Sequence, residues 1–177
     1  MIDTKEKIKL NLGSRDRVIP GFKNMDCDAH PNVDYVGDVS NLSHLKDGEV
    51  SEIYASHILE HFPHVRTLEI LKEWNRVLEV GGILYIGVPD FKRTIEIYRK
   101  VGHLTDWMVN FLWGDKGYKT AFHYSGFDAK RLSGLLLAAG FSEASQVENF
   151  QYNIDDCSAK VSTLDFKIVS LNMVAIK

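Results

Sequence analysis

The stretch LKEWNRVLEVGGILYIGVPD, residues 71–90, joins a helical pattern to a continuous apolar run. Apolar residues at spacings of three or four predict a helix with one apolar stripe that packs against a sheet. The stripe consists of Val65, Leu68, Leu71, Trp74 and Leu78. We expect Gly81 and Gly82 to end this helix. The run ILYIGV, residues 83–88, is typical of a central strand that is covered on both faces. A helix that leads into such a strand indicates an α/β fold with a parallel sheet.

Segments upstream and downstream of this stretch continue the alternation of strands and helices. Four short upstream segments are predicted strands, because apolar residues alternate with polar ones or are concentrated in them. They are residues 8–12, 21–26, 33–38 and 50–55. Downstream, the pattern predicts helices at 91–101 and 104–113. Ile95, Tyr98 and Val101 are expected to form the buried face of the first of these two helices.

The C-terminal part of the chain predicts one more helix and two strands. Asp128 is a candidate N-cap for a helix that Gly140 ends. Strands are predicted at 145–150 and 168–176. Because no helical pattern lies between these two strands, we expect them to pair antiparallel.

The length and the net charge of the chain limit the number of domains and the kinds of partner that we expect. Its 177 residues are interpreted as a single domain spanning 1–177, with a helical, aromatic-rich insert at about 102–125. Lys and Arg total 21 and Asp and Glu total 24, which gives a net charge of −3. Nucleic acids and anionic membranes bind basic surfaces, so this charge argues against both as general partners.

The cysteines and the N-terminal segment bear on the compartment. Cys27 and Cys157 form no CxxC pair, so we expect neither a disulfide scaffold nor a cysteine zinc site. The segment MIDTKEKIKL alternates charged and aliphatic residues and is unlike a signal peptide. The longest apolar runs are far shorter than a membrane span. We therefore expect a cytoplasmic protein.

Three residues at predicted strand ends are candidate ligand-binding groups. Gly13 follows the first strand, Asp26 ends the second and Asp38 ends the third. Ligands of open α/β sheets bind beyond the carboxyl ends of the strands, where glycine permits close approach and a carboxylate can accept from ribose hydroxyls. Each residue alone is compatible with an ordinary turn. Their succession at three strand ends favours a ligand-binding edge.

The segment ASHILEH, residues 55–61, follows the fourth predicted strand. Its HILEH portion matches the H-x-x-E-H arrangement of some zinc proteases. That motif requires a helix interior and a further ligand, whereas this segment begins at a strand end and is followed by Pro63. We therefore expect no metal site and keep a metal-dependent hydrolase that uses His57, Glu60 and His61 as an alternative.

Six motifs occur in a fixed order along the chain, namely LNLGS, PGFKNMD, DYVGDV, ASHILEH, the stretch at 71–90 and FDAKRLSGLLLAAGF. Over about residues 8–147, this series resembles the small class I S-adenosylmethionine-dependent methyltransferases, most closely the group called type 11. The resemblance implies a three-layer Rossmann-like fold with a mostly parallel seven-stranded sheet and an antiparallel last strand. It also implies S-adenosylmethionine as the cofactor, S-adenosylhomocysteine as its product, and modification of polysaccharides or small molecules.

The resemblance further implies that the loops after four strands contact the cofactor, through Gly13, Ser14, Arg15, Asp26, Cys27, Asp38, Val39, Ser56 and His57. In this assignment, the loop after the first strand borders the methionine part of the cofactor. The end of the second strand binds the ribose and contacts the adenine, and the end of the third holds the adenine edge. Ser56 and His57 lie near the sulfonium.

Arg15 departs from the family pattern, which has a second glycine at this position. A side chain here occupies space where glycine lets the backbone touch the cofactor. Arg15 turns outward, pairs with the cofactor carboxylate, or weakens binding. The last outcome leaves open a second hypothesis, a degenerate methyltransferase fold that acts as a non-catalytic interaction module.

Methyl transfer requires alignment of the acceptor and in some enzymes a base that removes its proton. Candidate bases near the carboxyl ends of the strands are His57, His61, Asp90 and His123. Histidine suits this role near neutral pH. The segment after the fourth strand lacks the N/D-P-P-Y pattern of many amide and nucleobase N-methyltransferases. A hydroxyl acceptor on a small molecule or glycan is therefore slightly favoured.

The insert at 102–125 concentrates aromatic residues, Trp107, Phe111, Trp113, Tyr118, Phe122 and Tyr124. Such side chains can stack on a sugar or ring substrate, form a homodimer interface, or build a small satellite core. We therefore expect a small-molecule or sugar substrate, with a homodimer through the insert as a further expectation. The absence of G-x-G-x-x-G argues against a nicotinamide oxidoreductase.

Overall fold

The computed structural model describes residues 7–114, 121–152 and 170–177. Its strands are β1 (Ile8–Leu12), β2 (Lys23–Asp26), β3 (Tyr35–Val36), β4 (Val50–Ser56), β5 (Leu78–Pro89), β6 (Glu143–Val147) and β7 (Ser170–Ile176). They form one sheet in the order β3-β2-β1-β4-β5-β7-β6. The pairs from β3 to β5 are parallel, and β7 runs antiparallel to both β5 and β6. The predicted mostly parallel, seven-stranded sheet with an antiparallel last strand is confirmed.

The helices are α1 (Thr67–Val77), α2 (Phe91–Val101), α3 (Asp106–Trp113) and α4 (Ala129–Ala138), and a 3-10 turn spans Leu59–His61. The predicted cap of α4 is confirmed, because Oδ1 of Asp128 accepts from the amide of Arg131 at 2.8 Å. The α3 helix lies within the predicted insert. In the part of the chain that the structure describes, none of these helices has the length and hydrophobicity needed to cross a membrane.

Several predicted features lie outside the described residues. They are Tyr118 of the insert, Cys157, residues 168–169 of the last predicted strand, and residues 1–6. The described remainder of the last strand pairs antiparallel with β6, as expected.

The end and the buried face of α1 differ from the sequence prediction. The helix ends at Val77 rather than at Gly81, because Leu78 adopts an extended conformation and begins β5. The two glycines lie within β5, and the pairing register between β4 and β5 shifts in this region. Val65 precedes the helix and is 76% exposed. The buried side chains of α1 are Thr67, Ile70, Leu71, Trp74 and Val77.

The buried face of α2 also differs from the prediction. Ile95 and Tyr98 are exposed, whereas Thr94 and Ile97 are buried. Ile97 packs in a small cluster with Met108 of α3. The face that α2 buries is therefore set by its contact with α3.

The two faces of the sheet are covered by different side chains, because successive residues of a strand point in opposite directions. Ile53 of β4 and Leu84 of β5 belong to the main apolar core, which includes buried residues of α1 and α4. Their neighbours Tyr54 and Tyr85 point to the opposite face and join an aromatic cluster. The phenol of Tyr152 closes this cluster by a hydrogen bond to the Glu52 carboxylate.

Side chains of α1 anchor the segment that connects β3 to β4. Nε1–H of the fully buried Trp74 donates to the carbonyl of Val39 at 2.9 Å. Oε1 of Glu73 accepts from the amide of Leu42 at 2.9 Å. The guanidinium of Arg76 donates to the carbonyl of Leu42 at 3.1 Å and contacts Glu73 as an ion pair. This irregular segment therefore has a fixed conformation without a helix of its own.

We expect Trp74→Phe to lower the free energy of unfolding by about 2–4 kcal/mol, because the buried Val39 carbonyl loses its donor and a cavity opens. Urea denaturation measures the change. Trp113→Phe is the matched control, because the Trp113 side chain is 52% exposed and the loss there should stay within about 0.5 kcal/mol. Equal effects at both positions would contradict this account of the anchor.

The Glu73 carboxylate predicts a specific acid dependence of stability. The hydrogen bond from Arg76 holds the pKa of Glu73 below its ordinary value of 4.5. A carboxyl with a lowered pKa stabilises the fold above its unfolded-state pKa and loses that contribution as pH falls through its folded-state pKa.

Glu73→Gln should therefore cost about 1 kcal/mol at pH 7 and progressively less as the pH falls below about 4.5. Denaturation series at several pH values test this. Glu69→Gln on the same helix is the control, because the Glu69 side chain is 71% exposed. A penalty for Glu73→Gln that does not vary with pH would rule out the carboxylate as its source.

Candidate active site

A small cleft lies at the carboxyl ends of the neighbouring strands β1 and β4. Its lining includes Gly13 and Ser14 after β1, and Tyr54 and Ser56 of β4. The chain passes from β1 to β2 on one side of this point, and β4 pairs on the other side. Open α/β sheets bind ligands at such a reversal of strand order, because the loops on either side diverge there.

The loop after β1 is held close to β2 and to the segment after β4. The amides of Gly13 and Ser14 both donate to the carbonyl of Met25, at 2.9 and 3.2 Å. Gly13 has a φ of +66°, and an added Cβ would lie 2.7 Å from Cδ1 of Ile58. Only glycine fits here without a shift, so the predicted importance of this position has a steric basis.

Arg15 also adopts a left-handed backbone, with a φ of +52°. Its amide donates to Oδ2 of Asp26 at 2.8 Å, while the residue itself is exposed. The loop thus keeps at Arg15 a conformation that favours glycine, the residue that the family pattern has at this position.

The carboxylate of Asp26 organises the turn at the end of β2. It is only 8% exposed, and its Oδ1 accepts from the amide of Asp28 at 3.0 Å. Each carboxylate oxygen has a second lone pair that can accept from a ligand. Cys27 is exposed beside it. Partial burial and the carboxylates of Asp26 and Asp28 raise the pKa of the Cys27 thiol, which therefore stays protonated at neutral pH.

Asp38 and Val39 lie beyond the end of β3 and support the structure there. Oδ1 of Asp38 accepts from the amide of Ser40 at 2.8 Å, in a turn. Val39 is buried, and its carbonyl accepts from Trp74. Neither residue is among those that line the cleft.

Two serine hydroxyls in the cleft are buried without a hydrogen-bond partner in the described part of the chain, Oγ of Ser14 and Oγ of Ser56. A buried hydroxyl that lacks a partner is costly, and native structures rarely leave one unpaired. These two atoms come from the two loops that form the cleft. Their position fits a polar ligand that would complete their hydrogen bonds.

His57 connects the cleft to a buried group of ionisable side chains. Its backbone has a φ of +54°, and its amide donates to the carbonyl of Gly87 at 2.8 Å. Nδ1 of the ring lies 3.1 Å from Oε1 of Glu60, and Nε2 lies 2.6 Å from Oγ of Ser170. The His57 ring thus lies between an ion-pair contact with Glu60 and a hydrogen bond with the Ser170 hydroxyl.

Glu60 is completely buried. Burial by itself raises the pKa of a carboxyl group, but the imidazole of His57, with His61 and His123 nearby, holds the pKa of Glu60 below its ordinary value. Burial also lowers the pKa of His123, which favours its neutral form. The site therefore holds a buried carboxylate among imidazoles.

The rings of His61 and His123 meet edge to face, with their centroids 4.8 Å apart. The peptide amide of His123 donates to the carbonyl of Trp113 at 3.2 Å. An added Cβ on Gly114 would overlap the carbonyl oxygen of Ala121, so two backbone segments lie in close contact there. The bonds of His123 to the carbonyls of Trp113 and Phe111 hold its ring beside His61.

The structure distributes the predicted catalytic residues over two places. It brings His57, His61 and His123 together around Glu60. Asp90 instead caps α2, with Oδ1 accepting from the amide of Arg93 at 3.1 Å. Sequence reasoning missed Ser170 as the partner of His57, because these residues are 113 positions apart and no motif links them.

Comparisons with known proteins agree with this architecture. A family model described as "Methyltransferase domain" matches residues 20–86, so this part of the chain is similar to the family that the motifs resemble. No curated protein is significantly similar to the chain in sequence.

Solved structures share the fold. A SAM-dependent methyltransferase from Archaeoglobus fulgidus is 15% identical, with 97% of this chain and 86% of that chain covered and a TM-score of 0.60. One from Methanosarcina mazei is 20% identical, with 98% and 93% covered and a TM-score of 0.58. The 1,6-didemethyltoxoflavin-N1-methyltransferase from Burkholderia thailandensis, solved with its substrate and S-adenosylhomocysteine, is 17% identical, with 96% and 70% covered and a TM-score of 0.59.

The left-handed backbone at Arg15 predicts the effect of restoring glycine there. A residue with a Cβ costs about 1–2 kcal/mol in this conformation, while glycine adds about 0.4–1 kcal/mol of unfolded-state entropy. Arg15→Gly should leave the free energy of unfolding unchanged or raise it by up to about 1 kcal/mol. Arg17→Gly, in the same loop at an ordinary φ, should lower it by about 0.5–1 kcal/mol. Equal losses in chemical denaturation would disprove the strain at Arg15.

Proposed function

We propose that this protein is an S-adenosylmethionine-dependent methyltransferase that acts on a hydroxyl group of a small molecule or glycan. The loop after β1 carries the proposal, because it keeps left-handed backbone at both Gly13 and Arg15 and presents the unpaired hydroxyl of Ser14 to the cleft. This geometry weighs against the alternative of a degenerate fold that has lost its cofactor site. The family match over residues 20–86 supports the same activity.

Residues of the cleft and of the neighbouring strand ends are assigned in this proposal to successive parts of the cofactor. In this proposal Gly13 and Ser14 border its methionine portion, and Arg15, which is exposed, can reach its carboxylate. Asp26 accepts from the ribose hydroxyls through its remaining lone pairs. Beyond it, Cys27, Asp38 and Val39 form the adenine side. Ser56 and His57 lie near the sulfonium.

The cofactor supplies a methyl group on a sulfonium, which is already a good leaving group, so the protein contributes alignment and proton transfer. His61 and His123 are the proposed groups that receive the acceptor proton when no metal is bound. Both ring nitrogens of His57 already contact Glu60 and Ser170, so we propose a positioning role for this predicted base. Glu60 and Ser170 orient the His57 ring from either side. The role of Asp90 as a base stays a prediction, and the structure shows its carboxylate capping α2.

Exposed aromatic side chains next to His123 support a ring-shaped or sugar acceptor. Trp113, Phe122 and Tyr124 are 52%, 45% and 58% exposed. Flat apolar faces of this kind stack on sugars and aromatic rings. The Burkholderia thailandensis relative, whose substrate is a small molecule, supports an acceptor of that class. The choice of oxygen over nitrogen rests on the absent N/D-P-P-Y pattern.

Two further predictions concern the context of the enzyme. The chain has only two cysteines, which is consistent with a reducing compartment, and we propose a cytoplasmic location. A homodimer through the aromatic insert stays a prediction, for which size-exclusion chromatography with light scattering is the test.

Calorimetric titration with S-adenosylhomocysteine tests the cofactor site. The variants Ser14→Ala and Ser56→Ala should each raise the dissociation constant about 3- to 10-fold, because each removes one hydrogen bond to the ligand. Without ligand, each variant should be as stable as the parent or up to about 1 kcal/mol more stable, because an unpaired buried hydroxyl is gone.

Ser43→Ala is the matched control for this experiment. Ser43 is exposed and lines a different cleft beside α1, so its variant should bind like the parent protein. Absence of binding by the parent protein at millimolar ligand would refute the proposed function. Once binding is measured, transfer of a labelled methyl group to sugars, phenols and amines identifies the acceptor class.

A further inference from the structure

Glu60, His61 and His123 form a three-residue cluster that offers a second chemistry besides proton transfer, the binding of a metal ion. Each residue offers one ligand atom, and these atoms lie within 4.8 Å of one another. Glu60 is completely buried, and its Oε2 has no hydrogen-bond partner within the described ranges. A buried carboxylate is costly unless a positive group compensates its charge. The cluster therefore presents an acceptor atom that a cation would satisfy.

The hydrogen bonds of the two histidines orient their free nitrogens for a metal. Nδ1 of His61 lies 3.1 Å from the carbonyl of Phe122, and Nδ1 of His123 lies 3.1 Å from the carbonyl of Phe111. A carbonyl oxygen only accepts, so both Nδ1 atoms carry the hydrogen and both Nε2 atoms present a lone pair. Metal-binding histidines characteristically donate their other ring N–H to a carbonyl or carboxylate in this way.

His57, which the sequence motif suggested as a ligand, is committed elsewhere. Its two ring nitrogens contact Glu60 and Ser170. It orients the carboxylate of Glu60 from the side. The H-x-x-E-H spacing thus supplies two ligands from Glu60 and His61, and the third comes from a residue 62 positions later, His123.

We propose that Glu60, His61 and His123 bind one divalent transition-metal ion, with zinc as the expected occupant. Two imidazoles and one carboxylate suit zinc, whereas magnesium and calcium prefer oxygen ligands. Three protein ligands leave at least one coordination position for water or substrate, as in catalytic zinc sites. The ligand atoms lie within 4.8 Å of one another, and the side chains would move closer together to reach zinc–ligand distances of about 2.0–2.2 Å.

The role of this metal rests on the proposed methyltransferase function. Ser56 lines the methyl-donor cleft and is four residues from Glu60, so the metal would lie beside the reaction. With zinc bound, His61 and His123 would be ligands rather than bases, and a zinc-bound hydroxyl of the acceptor would lose its proton to water more readily. Its oxygen then forms a bond to the methyl carbon, the carbon–sulfur bond breaks, and the electron pair goes to sulfur. The products are the methyl ether and S-adenosylhomocysteine.

Zinc titration of chelator-treated protein by calorimetry tests the site, with cobalt(II) absorption as a probe of coordination. The parent protein should bind one equivalent of zinc and, with cobalt, show the visible bands of a low-coordinate site. His123→Ala should weaken zinc binding by about 100-fold or more, since even the loss of a supporting partner costs about 10- to 100-fold. Glu60→Gln is a second variant that keeps the shape of the side chain, and circular dichroism verifies that both fold.

His64→Ala is the control, because His64 is an exposed histidine four residues from Glu60. It should bind zinc like the parent protein. Substoichiometric zinc binding by the parent, or equal binding by parent and His123→Ala, would overturn the metal site. An equal loss in His64→Ala would assign the zinc to the surface and overturn it as well.

Activity measurements separate this inference from the proposed function. Chelator-treated protein should bind S-adenosylhomocysteine unchanged and lose methyl transfer to a hydroxyl acceptor, and zinc should restore the transfer. If the protein fails to bind S-adenosylhomocysteine, the proposed methyltransferase function is refuted, whereas the metal site is not. Methyl transfer that continues at full rate without metal refutes the role of the metal in acceptor activation.

Discussion

The position of β1 between β2 and β4 is the constraint on which the candidate site depends. Parallel strands bring their carboxyl ends to one edge, and the reversal of strand order at β1 makes the following loops diverge there. Both loops contain residues with a left-handed backbone conformation. These are Gly13 and Arg15 after β1 and His57 after β4. Ile58 packs against Gly13 and sets the distance between the loops. The cleft and the cluster of Glu60, His61 and His123 are therefore connected through the segment that follows β4.

Much of the fold could be predicted because its signals are local. The strand at 8–12, the cap at Asp128 and the antiparallel final pair all follow from residues close in sequence. The faces of α1 and α2 could not be read correctly, because several apolar stripes were compatible with each helix. Contacts decide between such stripes, as Ile97 shows by packing against α3. The end of α1 was missed because Leu78 turns into a strand before the glycines.

The places of Gly13, Asp26 and His57 at the ends of strands could be predicted from the sequence, while their roles stay predictions. Contacts over long separations left no signal in the sequence. The bond from Ser170 to His57 spans 113 positions, and His123 reaches its partners only through the fold. The H-x-x-E-H spacing drew attention to Glu60 and His61, and the sequence argued against the helix interior that the protease motif requires. A 3-10 turn places them instead.

The contact between Gly114 and Ala121 has a consequence for the substitutions that the chain can accept near His123. The carbonyl of Ala121 occupies the space that a side chain at Gly114 would need. The residue before Gly114, Trp113, accepts the backbone hydrogen bond from the amide of His123. A side chain at Gly114 would therefore push apart the two backbone segments that this hydrogen bond joins. The imidazole of His123 is thus sensitive to the identity of a residue that carries no chemistry of its own.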